Sequence, residues 1–172
     1  MVNSKSLGFK LMFDISIELS TKTIKRLYYY IVTVFLFLNM AKSWKEKFFS
    51  IKNFEIKTIQ KNFWGHVAGS KMLIPTPLII QEYINHIESG KISEVETMRN
   101  DLAIEYGADF TCPMTTGIFL RIVAEYNYEN LSKKGTEISP FWRIIDPNSR
   151  LSDRLSFDKK IIINKRNEEI QC

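Results

Sequence analysis

The sequence predicts a small α+β domain with a winged helix-turn-helix-like arrangement, in which three helices precede a short β wing. Two observations predict it. Three segments between residues 73 and 132 combine a helix-start signal with apolar side chains at helical spacing. A short apolar stretch and a turn then follow, which is typical of a strand that enters a hairpin. This order of elements is that of a winged helix, and other small α+β domains share it.

The chain divides into three parts. It has 172 residues, of which 45% are hydrophobic and 25% charged, so it can bury an ordinary core and is not globally disordered. Residues 1–39 are interpreted as an upstream extension or a hydrophobic N-terminal segment. Residues 40–72 are interpreted as an irregular basic arm with one short strand near residues 55–59, and residues 73–172 as the folded domain.

The N-terminal segment contains an uncharged run over residues 27–41. Its 15 residues are fewer than the roughly 20 that a membrane-spanning helix needs, and the cations before it resemble the start of a signal peptide. Met40 opens a stretch typical of a cytosolic N-terminus, which favours an upstream extension outside the native chain and a cytoplasmic protein. A signal peptide, a packed helix or a membrane anchor through residues 27–41 are the alternatives.

The first two helices of the domain have clear start signals. Thr76 is placed as the N-cap of the first helix, with Pro77 in its first turn and Gly90 closing the element. Ser93 and Glu96 form the S-x-x-E pattern of a capping box, which predicts that the second helix begins there.

The third helix is predicted to begin near Pro113 and to run towards Ser132. A basic loop follows, and then a short strand over residues 142–145 with a turn at residues 146–149. The stretch around residues 155–165 fits either a strand or a terminal helix. Apolar side chains form the expected core stripes of the second and third helices: Val95, Met98, Leu102 and Tyr106 in one, and Ile118, Ile122, Val123 and Tyr126 in the other.

Charge is distributed unevenly along the domain. Residues 71–129 include four basic and nine acidic side chains, whereas residues 133–166 include nine basic and four acidic ones. A surface that faces phosphates should therefore lie mainly in the C-terminal third. In a winged helix the third helix can enter a DNA groove while the wing touches the backbone.

Four stretches carry a resemblance to a known family: IPTPLIIQEYINHIESGKIS, MRNDLA, PMTTGIFLRIVAEYN and SPFWRIIDPNSRL. Over roughly residues 73–166 the chain resembles the C-terminal DNA-binding domain of the methylguanine-DNA methyltransferase family. It also resembles a smaller group of bacterial proteins with TCPMTTGIF and PFWR-like motifs, usually described as methyltransferase-family proteins.

The reactive motif of that family, P-C-H-R-V, aligns with the PFWR stretch. Pro140 and Arg143 match the motif, while Phe141 stands at the acceptor cysteine and Trp142 at the activating histidine. Alkyl transfer needs a thiolate and a neighbouring base, and neither ring can replace them. The resemblance therefore implies the alkyltransferase-like branch, which lacks the acceptor cysteine and binds alkylated DNA without repairing it. In that branch tryptophan takes the acceptor position, whereas here phenylalanine takes it and tryptophan follows.

Two further positions depart from the family. Its tyrosine that helps to rotate the damaged nucleotide aligns with Val95, and its arginine that fills the gap in the base stack aligns near Gly117. Arg121 lies one turn later and is a candidate for contact with a DNA groove. Base flipping requires contacts that offset a few kcal/mol of unstacking, and the sequence identifies no residue for that role.

The candidate site residues each have a structural alternative. Phe141 and Trp142 are candidates for an aromatic pocket around an extruded base, although strand alternation would place one of them in the core. Arg143 is a candidate phosphate ligand, with a structural ion pair favoured. Thr115 and Thr116 are candidates for phosphate contacts at the start of the third helix, or for capping that helix. Arg150 and Arg154 are candidates for contacts with the DNA backbone from the wing, or for a solvated charged face.

The predicted function is non-catalytic binding of double-stranded DNA, plain or alkylated, in DNA repair, with a repair protein as a further candidate partner. One alternative is residual alkyl transfer to Cys112, which precedes the third helix; a buried structural cysteine is favoured. Another is a protein-interaction module that uses the acidic second helix. No cofactor is expected, and no metal, because His66 and His86 lack neighbours at ligand spacing.

Overall fold

The computed structural model describes residues 42–131, 133 and 137–171. They form an α+β unit, as predicted, and the described residues contain five α-helices rather than three. The interpretations of residues 1–39, the anchor through residues 27–41 included, lie outside the described ranges. No helix within those ranges is long and apolar enough to cross a membrane. The α-helices are α1 Trp44–Ser50, α2 Pro77–His86, α3 Val95–Glu105, α4 Pro113–Asn130 and α5 Lys160–Ile170.

Three strands form one sheet: β1 Glu55–Thr58, β2 Lys71–Ile74 and β3 Phe110–Thr111. β1 pairs antiparallel with β2, with Ile56 opposite Leu73, and β2 pairs parallel with β3. The strand predicted near residues 55–59 is confirmed. Leu73 is fully buried, so the sheet contributes directly to the core.

The irregular arm expected before residue 73 is instead a helix and a hairpin that belong to the same unit. Ser43 and Glu46 form a capping box at the start of α1. Phe48 is buried and its ring stacks on that of Tyr126 in α4, with centroids 4.5 Å apart. The basic and aromatic composition of this segment gave no clear helical pattern, because only one ring of the short helix is buried against α4.

The start of α2 is as predicted, and that of α3 is not. The hydroxyl of Thr76 accepts the backbone N–H of Ile79 at 3.2 Å. The expected capping box at α3 is absent, because the helix begins one residue later with Glu94 as N-cap and no side-chain cap. The N–H of Ser93 instead donates to the carbonyl of Arg143 at 2.9 Å. Tertiary pairing therefore overrides the local signal.

Helix α4 is the longest element among the described residues and passes through the core. It begins at Pro113, as predicted, and buries Leu120 and Val123 completely. Ile118, expected in the core stripe, is 55% exposed. Ile122 and Val123 are buried, as expected, and the buried side of α4 also includes Thr116, Phe119, Leu120, Ala124 and Asn127.

The strand predicted over residues 142–145 is wrong, and no strand follows α4 within the described ranges. The chain forms the 3₁₀ turn Phe141–Arg143, closed by hydrogen bonds from Arg143 to Pro140 and from Ile144 to Phe141. A second 3₁₀ turn, Ser152–Arg154, precedes α5, which settles the ambiguous terminal segment as a helix. The predicted turn at residues 146–149 is confirmed by a hydrogen bond from Ser149 to Asp146.

Candidate nucleic-acid interface

A groove of about 690 Å³ lies along the exposed side of α4. Four of its lining side chains are cations, and none of its lining residues is acidic: Lys47, Arg121, Arg150 and Arg154. Its other lining side chains are mainly apolar: Trp44, Trp64, Pro113, Met114, Ile118, Ile122 and Leu151. We call this feature the basic groove. It brings together three arginines that the sequence analysis selected separately, and it combines cations with exposed aromatic and aliphatic surface.

Arg150 and Arg154 are the cations of the groove with the fewest contacts to other side chains. Both are exposed, and neither side chain forms an ion pair or hydrogen bond with another described residue. Arg154 lies in the second 3₁₀ turn and Arg150 in the turn just before it. The two turns are tied together by the hydroxyl of Ser152, which donates to the carbonyls of Pro147 and Ser149 at 2.8 and 2.7 Å. Their guanidinium groups are therefore available for a phosphate without first breaking an internal pair.

Arg121 is held more firmly than the other two arginines. Its Nε lies 3.6 Å from the carboxylate of Glu125, which is fully buried, and its guanidinium lies 5.4 Å from the ring centre of Trp44. The Nε is buried and has no hydrogen-bond partner among the described residues. Glu125 also accepts hydrogen bonds from the N–H and hydroxyl of Ser156. The same carboxylate thus ties α4 to the segment that follows Arg154.

Two groove residues come from α1, which the sequence analysis did not consider. Lys47 lies 3.9 Å from the ring centre of Trp44, and both residues line the groove. Cation–π contacts of this kind hold charged side chains over aromatic faces. The aromatic and basic composition of residues 40–72 was the available signal, although its helix was missed.

A third missed residue is Trp64, at the tip of the hairpin between β1 and β2. Phe63 and His66 exchange two backbone hydrogen bonds of 2.9 Å, so Trp64 and Gly65 form a two-residue loop. The indole of Trp64 is 65% exposed and lines the basic groove. The imidazole of His66 stacks on the ring of Phe110, with centroids 3.8 Å apart, and anchors this tip on the sheet.

An apolar cavity of about 420 Å³ adjoins the groove and shares Gly117 and Leu151 with it. Val95, the position aligned with the family's nucleotide-rotating tyrosine, is one of its lining residues. A Cβ atom placed on Gly117 would meet no atom within 4 Å, so there is open space at this shared residue. The remaining lining residues are Ile92, Ser93, Glu94, Leu120, Ile144, Ile145, Asp146, Ser149 and Arg166.

Phe141 and Trp142 are core residues and do not line the cavity. Phe141 is fully buried and Trp142 is 8% exposed, with their ring centres 5.3 Å apart in an edge-to-face arrangement. The 3₁₀ turn removes the alternation expected of a strand, which is why both rings point into the core. Neither ring is therefore available to stack on an extruded base in this structure.

Arg143 is a structural residue, as the favoured interpretation predicted. Its guanidinium donates to Glu169 of α5 at 2.8–3.0 Å and also to the carbonyl of Ile87. Glu169 also accepts the indole N–H of Trp142 at 2.8 Å and the backbone N–H of Gly90 at 3.1 Å. We call this set the Arg143–Glu169 clamp. It joins the end of α2, the first 3₁₀ turn and α5.

Hydrogen bonding controls the ionisation of Glu169. Burial by itself would raise its pKa, but the hydrogen bonds from Arg143, Gly90 and Trp142 outweigh that effect. The pKa of Glu169 therefore lies below its ordinary value of 4.5.

Thr115, Thr116 and Cys112 are engaged within the start of α4. Both threonine hydroxyls donate to the carbonyl of Cys112, at 3.3 and 2.8 Å, and Thr116 is fully buried. These hydroxyls bond back to the carbonyl of the N-cap residue and do not cap the helix, because Cys112 is the N-cap of α4 and the helix has no side-chain cap hydrogen bond. The side chain of Cys112 is unpaired and buried, with 5% of the residue exposed.

Comparison with protein-family models, curated proteins and solved structures finds no match to this chain. Within the described ranges, no group of three His, Cys, Asp or Glu side chains is arranged to hold a metal ion.

Proposed function

We propose that this protein binds double-stranded DNA through the basic groove and does not transfer an alkyl group. The observation that carries the proposal is the convergence of Arg121, Arg150 and Arg154 with Lys47 on the exposed side of α4. The four cations come from three separate parts of the chain, and Arg150 and Arg154 have no internal partner among the described residues. Phosphate contacts of this type supply most of the affinity of non-specific DNA binding.

The shape of the groove supports an elongated anionic partner. Helix α4 presents Met114, Gly117, Ile118 and Arg121 along one side, and these residues follow helical spacing. In a winged helix the corresponding helix enters a DNA groove. The second 3₁₀ turn and the turn just before it, in place of a β wing, would then carry Arg154 and Arg150 to the phosphate backbone.

The apolar cavity supports a finer proposal, in which an altered base leaves the duplex and enters the protein. The cavity opens beside the groove at Gly117, and its volume falls within the range of small-molecule sites. Most of its lining surface is apolar, and polar or charged side chains also line it: Ser93, Glu94, Asp146, Ser149 and Arg166. This arrangement suits an alkylated base better than the buried Phe141–Trp142 pair does.

A salt titration tests the proposal. Affinity for a labelled duplex should fall steeply between low and moderate salt, with a log–log slope of about 0.9 for each phosphate neutralised. Replacing both free arginines, R150Q/R154Q, should weaken binding at least about tenfold and reduce the slope by about 2. The matched control is K52Q/K91Q, which removes two exposed lysines that do not line the groove.

Two outcomes would contradict the proposal. The first is no binding to plain or methylguanine-containing duplex at low salt. The second is an equal loss of affinity in the R150Q/R154Q and K52Q/K91Q proteins, which would mean that net charge and not the groove is responsible. Intact-mass measurement after incubation with methylguanine duplex addresses the enzymatic alternative, since a methyl adduct on Cys112 would overturn the non-catalytic part.

A further inference from the structure

We infer that Trp64 is a base-stacking residue that gives the basic groove a preference for DNA with an unpaired or unstacked base. This inference rests on the proposed function, because it assigns a finer ligand to the same groove. Neither the sequence pattern nor the resemblance singled out Trp64.

The position of the indole is the first observation. Trp64 is 65% exposed although it lies on a hairpin whose neighbours Phe63 and His66 pack towards Phe110. It lines the same groove as the four cations. An exposed indole beside a row of cations is the combination by which proteins bind single-stranded or unstacked nucleic acid.

The backbone at Trp64 is the second observation. Trp64 has a φ of +50° and is the one non-glycine residue with positive φ among the described residues. With Gly65 at +83° it has the φ pattern of a type I′ turn, whose first central position strongly favours Asn, Asp or Gly. The turn geometry disfavours tryptophan at this position, which points to a role of its side chain in binding rather than in stability.

The hairpin also fixes the position of the backbone that carries Trp64. The stacked pair of His66 and Phe110, with planes only 4° apart, fixes one side of the tip. The amide of Asn62 accepts the backbone N–H of Ala68 at 2.9 Å and closes the loop from the other side. A side chain on a fixed backbone loses less conformational freedom when a base stacks on it.

The occupant that fits this surface is nucleic acid rather than protein. The lining of the groove has four cations and no carboxylate, so its charge complements a phosphate backbone. A fully paired duplex keeps its bases stacked on one another and offers no free base face. An unpaired base offers one, so Trp64 should contribute only to the second kind of ligand.

The test compares two labelled duplexes that differ in one feature, a single-nucleotide bulge. Full-length wild-type protein should bind the bulged duplex more tightly than the paired one. In W64A the affinity for the bulged duplex should fall about tenfold, since stacking of one base is worth this order, while affinity for the paired duplex changes less than about twofold. W64F retains an aromatic ring, so its affinity for the bulged duplex should fall less than that of W64A. V67A alters another exposed side chain of the same hairpin and should bind both duplexes like wild type.

The outcomes separate this inference from the proposed function. If wild type binds the paired duplex through Arg150 and Arg154 but W64A keeps the full preference for the bulge, the inference alone is wrong. An equal loss of affinity of W64A for both duplexes also overturns the inference, because Trp64 would then contact paired DNA as well. If R150Q/R154Q has no effect on either duplex, the proposed function fails. Circular dichroism of W64A confirms that the loss does not come from unfolding.

Discussion

At the scale of single residues, Arg143 is a candidate ligand-binding group that has a structural role instead, because Glu169 pairs with it. Arg143 was a candidate phosphate ligand, yet its guanidinium is occupied by Glu169 and Ile87. Both side chains of the ion pair are only 15% exposed. An arginine that is already paired in this way is poorly suited to a second anion, which leaves the unpaired arginines of the groove for that role.

The clamp predicts a specific dependence of stability on pH. Because the native pKa of Glu169 lies below the unfolded value, its ionised form stabilises the fold above about pH 4.5, and this contribution is lost as the pH falls through the native pKa. E169Q should lower the free energy of unfolding at pH 7 by about 2–3 kcal/mol, because Arg143 loses its charged partner. It should also flatten the acid limb of a plot of stability against pH, measured by urea unfolding.

The neighbouring E168Q protein is the control for that experiment. The carboxylate of Glu168 is 61% exposed and pairs with Lys165 on the surface, so its removal should change stability by less than about 1 kcal/mol. If E169Q and E168Q behave alike at every pH, the clamp does not stabilise the fold as described.

At the scale of elements, the hairpin between β1 and β2 is a place where stability and function should oppose each other. W64N should raise the free energy of unfolding by about 0.5–1 kcal/mol, because Asn tolerates positive φ at this turn position better than Trp does. The same protein should lose the preference for bulged DNA. Thermal or urea unfolding checks the first effect, with W64A as the control, because alanine removes the ring without relieving the backbone. A W64N protein less stable than W64A would contradict this account.

The elements that sequence reasoning predicted well are those whose signals are local. Thr76 and Pro77 marked the start of α2, and Pro113 marked that of α4, because capping and proline geometry act within one turn. The capping box at Ser93 failed because the N–H of Ser93 pairs with distant Arg143. The strand at residues 142–145 failed because an apolar run does not reveal whether a partner strand exists. Pairings between distant residues carry no local signal.

The sequence predicted only part of the candidate site, because contacts between distant residues leave no local signal there either. Arg150 and Arg154 could be named from charge and Arg121 from its place on the third helix, but only the fold brings them into one groove. Trp44, Lys47 and Trp64 were missed because they belong to a segment with weak periodicity. Exposed aromatic side chains within that basic segment were the available signal, and a helix with one buried ring gives little amphipathic pattern to recognise.

At the scale of the whole described unit, charge is separated between the helices. Glu82 of α2 and Glu105 of α3 line a small cleft around Tyr106, together with Tyr83 and His86. Burial raises the pKa of Tyr106, and the charges of Glu105 and Glu82 raise it further. The basic groove contains none of these residues. The acidic and basic surfaces are therefore built from different residues and can be altered independently.

This separation distinguishes DNA binding from the alternative of an acidic interaction module. E82Q/E105Q should change affinity for duplex DNA by less than about twofold at 0.15 M salt, because neither carboxylate lines the groove and salt screens exposed charges at that ionic strength. Titration of both proteins with the same labelled duplex provides the measurement. A strong gain in affinity would place the two carboxylates beside the DNA and would contradict the assignment of the interface to the groove.

The Arg143–Glu169 clamp also has a consequence for how this chain can change over generations. Losing Glu169 would leave Arg143, Trp142 and Gly90 without their shared acceptor, so a substitution at any one of these positions alters the selection on the others. In an alignment of relatives, residues 142, 143 and 169 should therefore be inherited as a set. Arg150 and Arg154 have no partner among the described residues, so they should vary independently of that set. Their variation should follow the ligand that each relative binds.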